Sequence, residues 1–440
     1  MALTTLGHFG DKRLQAGGAF VLDRLLTVGQ TGVRVRPLGG IRAGEMRIRR
    51  FLHNDDVTPG EMVRTARAHT AGLVQGRHIL AIQDTTSLRD DGDQCSLQLH
   101  PTIAVDAGGG TLLGLVHAEF FRREGGKKAS CGKRPFDEKE SRRWLTATEQ
   151  AAGLHAAGAT RVTVVADREC DIYDEFARCP VGTDLVVRAH HDRVLKGGKR
   201  LFSCTDALAE LGRNIIEVPA GPGRLARKAV LVLKACVVTL KRPMRNRAAE
   251  SAKLPPKLDL WFVEAREINP PDGVPALHWR LLTTHAVTSL ADAKRVTGYY
   301  AERWTVEQLF RVMKTKGFDI EAVRMANVEA FENLAAATLI AAVQMLQMVR
   351  DRDGVNKRPL EDVFEPSDQA ALEALCPTLE GKTAKQQNPH RKGSLAYGCW
   401  VCARLGGWTC YYGKPGPVVM LAGYYRFKAI QEGWALGRLV

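Results

Sequence analysis

The chain has 440 residues, 45% of them hydrophobic and 25% charged, with 63 Lys and Arg against 48 Asp and Glu, a net charge of +15 and a pI near 9.5. That length exceeds what a single core organises, and the composition excludes a disordered or collagen-like chain. The basic surplus points to a polyanionic partner.

Residues 1–75 read as an all-helical DNA-binding region. Asp11-Lys-Arg-Leu14 leads into a helical pattern running to Leu26, and Thr58-Pro-Gly-Glu61 combines an N-cap, a proline at the first helical position and a capping-box acid. Between them Arg34, Arg36, Arg42, Arg47, Arg49 and Arg50 form a basic segment anchored by Phe51 and Leu52, suited to DNA phosphates and base edges. Over 76–190 the character changes. Ile79–Ile82 is a compact apolar run that predicts a buried strand ending abruptly at Asp84 and the hydroxyls of Thr85, Thr86 and Ser87. Leu99–Val105 and Leu112–Phe121 predict two strands joined by a glycine-rich hairpin, and Arg122–Arg134 a basic loop. A helix is expected over Glu138–Ala157, then a β-branched strand, Val162–Ala166, ending in Asp167.

Residues 191–279 read as a β-rich insertion, with strands at Ala229–Thr239 and Leu258–Glu264 around a basic loop, Lys241–Arg247. His278–Thr283 is a further strand, and 280–350 returns to helices. The most apolar run, Leu334–Val343, is too short to cross a bilayer and is followed by Gln344 and Gln347, so it predicts a buried helix. Residues 351–440 form a helical region able to dimerise. The ten cysteines follow no disulfide framework. Cys399 and Cys402 have zinc-knuckle spacing without a second pair and read instead as an apolar helix face. The N-terminus lacks the basic-then-apolar order of a signal peptide, so a cytoplasmic protein with no membrane segment is expected.

One stretch carries chemistry of its own. In Tyr300-Ala-Glu-Arg303-Trp-Thr-Val-Glu307-Gln-Leu-Phe-Arg-Val-Met-Lys314 the four named side chains lie three, four and seven apart. On one continuous helix they would share an arc of roughly 60°. Val306, Leu309, Phe310 and Met313 would project elsewhere and rest on a core. The plain alternative is a solvated face with an Arg303–Glu307 salt bridge. Asp84, Asp167 and Glu307 together give three carboxylates on separate elements, the donors that two Mg²⁺ ions need when phosphate oxygens complete their shells.

Gln83-Asp84-Thr-Thr-Ser-Leu88, Asp167-Arg-Glu-Cys-Asp-Ile-Tyr173 and the Tyr300, Arg303, Glu307, Lys314 spacing resemble the signatures of bacterial cut-and-paste DDE transposases of the insertion-sequence-four group. Gly10–Leu14, Arg50–Asn54, Glu138–Ser141 with Trp144, Glu267–Pro271 and Ala403–Gly407 extend the likeness along the chain. The resemblance implies an α/β, ribonuclease-H-like catalytic core, a mixed sheet flanked by helices and interrupted by the β-rich insertion. It implies Asp84, Asp167 and Glu307 as ligands of two Mg²⁺ ions, with Mn²⁺ able to substitute. Tyr300, Arg303 and Lys314 would grip transposon-end DNA, Arg188 would add a contact, and Trp279 would stack on a flipped base, its alternative being a core aromatic. The implied reaction is cleavage through a hairpin and strand transfer into target DNA by a homodimer. A catalytically silent, end-binding derivative is the competing expectation. Little chain follows Trp434, which leaves the dimerisation surface open.

Overall fold

Ile79–Ile82 and Val162–Ala166 have no polar face to offer water, so each can be satisfied only inside a sheet covered by helices on both sides. A computed structural model, which describes residues 3–28, 32–90, 95–124, 135–218, 225–243, 253–314 and 317–437, places them there. Most of the expected basic loop over Arg122–Arg134 and the basic run from residue 244 to 247 lie outside the described residues.

The strands are β1 (His78–Gln83), β2 (Thr86–Asp90), β3 (Cys95–Asp106), β4 (Leu112–Glu124), β5 (Arg161–Ala166), β6 (Thr183–Arg188), β7 (Gly212–Val218), β8 (Arg227–Lys241), β9 (Lys257–Ile268) and β10 (His278–Thr283). They form one mixed sheet in the order β2-β3-β1-β5-β6-β10-β9-β8-β7, with β4 on the other edge of β3. β1, β5 and β6 run parallel at its centre. β9, β8 and β7 prolong the same sheet antiparallel to β10, and the expected boundary at residue 279 falls inside β10.

The expected abrupt end of β1 needs correction: the chain pauses at Asp84 and Thr85 and then resumes as β2 in the same register against β3. Gln83 faces Thr102 and Thr86 faces Leu99, so Pro101 lies opposite Asp84. Proline has no N–H to donate to a ladder, and this interior proline opens the gap in which Asp84 sits.

Helices α1 (Lys12–Val28), α2 (Val35–Gly39), α3 (Arg42–Leu52) and α4 (Pro59–Ala71) precede the sheet. Thr58 caps α4 as its sequence predicts, accepting from Glu61 N. α5 (Arg142–Ala152) and α6 (Tyr173–Arg178) cover one face of the sheet, where Ile79, Ala81, Val162 and Val164 pack with Trp144 and Tyr173. α7 (Leu290–Ala301), α8 (Trp304–Met313) and α9 (Val328–Asp351) cover the other, where Leu80, Ile82 and Val165 join a core shared with the N-terminal helices. α10 (Asp368–Leu379), α11 (Leu395–Leu405) and α12 (Pro417–Gly437) complete that side.

The apolar run Leu334–Val343, expected as a buried helix, lies within α9. This helix is long and apolar enough to cross a membrane by length and composition, with mean hydropathy 1.2, yet 94% of that window is buried within the protein. The NH2 groups of its buried amides are used: Asn333 donates to the carbonyls of Leu52 and Val57, Gln344 to Leu3 and Gln347 to Leu113, while Asn333 Oδ1 and Gln344 Oε1 have no hydrogen bond among the described residues. Cys399 and Cys402 are fully buried on α11, and burial pushes both thiols up.

Candidate active site

Asp84 and Asp167 leave the carboxyl ends of adjacent parallel strands, each two register steps beyond the pair Ile82 and Val165. Ligands of open α/β sheets gather at this edge. Both acids share the face of Ile82 and Val165, and α7 and α8 cross over it. Ser289 starts α7 with a reciprocal capping box with Asp292, worth about 1 kcal/mol.

The expected single helix from Tyr300 to Lys314 is in fact two. Arg303 N bonds Tyr300 O, Thr305 N bonds Glu302 O and Val306 N bonds Arg303 O, so one tight i to i+3 turn separates α7 from α8. Arg350 of α9 holds this turn, donating to Glu302 at 2.6 Å and to Gly110 O. The tight turn shifts the phase of everything after it. Tyr300, Arg303 and Glu307 still converge on the acids, while Lys314 ends α8 with its Nζ 2.8 Å from Glu321.

Arg303 is the hub. Nη1 donates to Asp84 Oδ2 at 2.7 Å and Nη2 to Glu307 Oε1 at 2.5 Å, while the buried Nε makes no hydrogen bond among the described residues. Tyr300 donates its hydroxyl to Asp167 Oδ1 at 3.1 Å, and Arg188 Nη1 stands 4.0 Å from the same oxygen. Burial pushes the Asp84 carboxyl up to about 6, and Asp167 and Glu307 add to the rise against the pull of Arg303 and the Thr85 N–H. For Arg303 burial works against the charge, but Tyr300 and the three acids outweigh it and hold the proton more tightly. Burial also raises the Tyr300 hydroxyl, keeping it a donor. The side chains of Asp84, Asp167 and Glu307 are 19%, 26% and 33% exposed, so a ligand can reach all three.

Among the described residues no three His, Cys, Asp or Glu side chains are gathered closely enough to hold a metal ion. A guanidinium bridges Asp84 and Glu307. The donor set is nevertheless the hard-oxygen set that Mg²⁺ takes.

Trp279, expected at the DNA, is packed inside the protein. It is 5% exposed and meets Tyr300 and Trp304 edge to face, with centroids 5.1 and 5.6 Å away. Here it is a core aromatic beneath Tyr300. Arg188 also braces β10 by donating to His278 O.

Sequence reasoning missed the residues that hold the aspartate loops. Arg143 of α5 reaches Thr85 Oγ1 at 3.4 Å and Glu169 Oε2 at 2.7 Å, so one buried guanidinium ties the loop after β1 to the loop after β5. Glu140 holds Arg143 in turn, which gives the Glu138–Ser141 stretch a physical role. His100 is buried, and desolvation keeps it neutral. A directional chain therefore runs from the Thr85 hydroxyl to His100 Nδ1, from His100 Nε2–H to Gln83 Oε1, from the Gln83 amide to Thr148 Oγ1, and from Thr148 to Glu175 Oε1. The one sequence signal was polar residues placed inside otherwise apolar strands.

Glu175 ends that chain fully buried, its Oε2 without a hydrogen bond among the described residues, and burial lifts its carboxyl from 4.5 to about 7. The folded protein thus binds this proton more tightly than the unfolded chain. The resulting stability, about 3 kcal/mol, is complete below about pH 4 and is lost as pH rises through about 7. Glu175→Gln is expected to flatten that dependence and to raise the melting temperature at about pH 8. A variant whose melting temperature tracks pH as the parent's does would place the titration elsewhere.

Residues 140–344 match the family described as the transposase DDE domain. The matched range holds Asp167, Tyr300, Arg303 and Glu307; Asp84 lies before it, just after β1, the strand paired with β5. The match supports a DDE transposase family for this chain.

Proposed function

We propose that the chain is a DNA transposase of the insertion-sequence-four type. It binds the inverted repeats at transposon ends, cuts each end through a hairpin and joins the freed ends to target DNA. The observation that carries this reading is the meeting of Asp84, Asp167 and Glu307 around Arg303 at the carboxyl edge of two parallel strands, in a chain matched to the transposase DDE domain.

Asp84, Asp167 and Glu307 are the residues that would hold two Mg²⁺ or Mn²⁺ ions once Arg303 turns from them to DNA. When bound, the ions supply Lewis acidity at the scissile phosphate and lower the pKa of the attacking water or 3′-hydroxyl. Positioning falls to the protein. Arg303, once turned from Asp84 and Glu307, takes a phosphate near the cut, and Arg188 and Tyr300 flank it from the Asp167 side. Lys314 adds a cation at the end of α8. Trp279 supports Tyr300 from below and can stack on a base only if that packing opens.

Residues 1–75 read the end sequence, 191–279 are an insertion in the catalytic core, and 351–440 supply the surface that pairs two protomers, each with one end. The setting is the cytoplasm, on nucleoid DNA.

The test uses purified chain, Mg²⁺ and linear duplex carrying the element's inverted repeats. Chelator-sensitive nicks with free 3′-hydroxyls, followed by hairpins on denaturing gels, are expected. Tight end binding without cleavage would leave the silent derivative, and neither binding nor cleavage would overturn the proposal.

A further inference from the structure

Away from the acids, a groove of about 610 Å³ opens between the N-terminal helices and the segment that joins α8 to α9. Arg34, Arg36, Arg49 and His53 line one side, Arg324 and Asn327 the other, and among the described residues the lining holds no carboxylate. A solvated basic surface would normally pair its arginines with acids. Among the described residues, the exposed Arg34 and Arg36 make no ion pair, and Arg324 bonds the carbonyls of Glu321 and Val323 through Nη1 with no ion pair. Arg49 gives one nitrogen to the buried Glu45 and is otherwise 56% exposed.

The groove is also tied to the catalytic edge. Its 322–327 wall is the chain that follows α8. Arg89 Nη1 on β2, the strand that resumes after Asp84, donates to Met325 O at 2.8 Å. On the other side Val33 N donates to Phe318 O at 3.1 Å, fixing the start of α2 to the same segment. The Val33 bond joins the two walls, and the Arg89 bond joins the 322–327 wall to the strand after Asp84.

We infer that this groove is a phosphate-backbone clamp for duplex DNA, built jointly by the N-terminal helices and the segment after the Glu307 helix. The inference rests on the DNA-acting reading above and adds to it a site away from the acids. Guanidiniums in a groove without acids recognise phosphate and carry no base readout, so the contribution is independent of sequence and dependent on salt. Held by the Arg89 and Val33 bonds, the clamp carries the duplex from the end-reading helices toward Asp84 and Glu307.

Full-length Arg34→Ala/Arg36→Ala/Arg324→Ala protein would be compared with the parent over a salt series, on end DNA and on an unrelated duplex. Lys392→Ala/Lys414→Ala serves as a charge control, because those lysines already pair with Glu373 and Asp353. Removing a cation from one phosphate lowers the slope of log K against log salt by about 0.9, so the triple variant is expected to lose roughly 2 to 3 from the slope on both duplexes and to bind at least about tenfold more weakly at moderate salt. The control keeps the parental slope. The substituted arginines are exposed, so an unchanged melting temperature confirms folding. An unchanged slope in the triple variant overturns the clamp, as does an equal loss in the control. Metal-dependent cleavage is scored separately: cleavage with an unchanged slope sinks the clamp and leaves the transposase reading, whereas a reduced slope without parental cleavage sinks the reading of the acids and leaves the clamp.

Discussion

Asp84→Asn, Asp167→Asn and Glu307→Gln are each expected to lower metal-dependent DNA cleavage by about 10³-fold or more, while duplex binding stays within about threefold of the parent. The split follows from where the groups sit. Each substitution removes an anionic oxygen from the site around Arg303 and leaves the basic groove and the N-terminal arginines untouched. The three losses are not additive, because groups that act as one unit fail together; the double variant Asp84→Asn/Glu307→Gln should be no worse than the more damaging single one. Cleavage on denaturing gels and binding by mobility shift measure the two properties on the same duplex. A variant that cleaves within tenfold of the parent would remove that acid from the site, and a parallel loss of binding would mean that the acid shapes the fold.

What the sequence made legible was local. Ile79–Ile82, wholly apolar, and Val162–Ala166, apolar but for Thr163, announce buried strands, and an acid one or two residues past such a run is conspicuous. The N-cap at Thr58 is likewise a short-range pattern. What stayed hidden depends on partners distant in the chain. The pause at Asp84 is set by Pro101 across the ladder, and nothing near Asp84 reveals that pairing. The break between α7 and α8 is equally silent, since side chains three and four apart suit one continuous helix as well as two; it takes Arg350 of α9 to hold Glu302 in the turn. Arg143 joins loops whose sequence positions are far from its own, and its place in a charged stretch looks like an ordinary solvated helix face. Trp279 shows the same limit from the other side. An aromatic on a strand fits both a core and a stacking platform, and only the packing against Tyr300 and Trp304 tells them apart.

The second large effect concerns Arg303. Its guanidinium lies between Asp84 and Glu307 and compensates the Asp84 carboxylate, which burial and the neighbouring acids disfavour. Arg303→Ala takes the guanidinium from the partly buried Asp84 and from Glu307, a change that costs about 3 to 5 kcal/mol when one partner of a buried pair is removed. Two treatments should restore the loss. Asp84 already has a folded-state carboxyl raised to about 6, so its folded form gains a proton before the unfolded chain does. That contribution is complete below about pH 4 and disappears as pH rises through about 6. Removing Arg303, which pulls this pKa down, moves the window higher, so the variant should be weakest at about pH 8 and approach the parent on acidification. Mg²⁺ or Mn²⁺ should act in the same direction, because a cation that binds the folded form alone stabilises it in proportion to the logarithm of its concentration. In the parent the guanidinium competes for that place, so without DNA the divalent ion should raise the melting temperature less than it does in Arg303→Ala. Melting curves in chelator and across a metal series decide the matter without any cleavage assay. Equal metal responses in parent and variant would show that the guanidinium does not stand where the cation binds; a larger response in the variant would make DNA, by drawing Arg303 onto a phosphate, the event that opens the acids to metal.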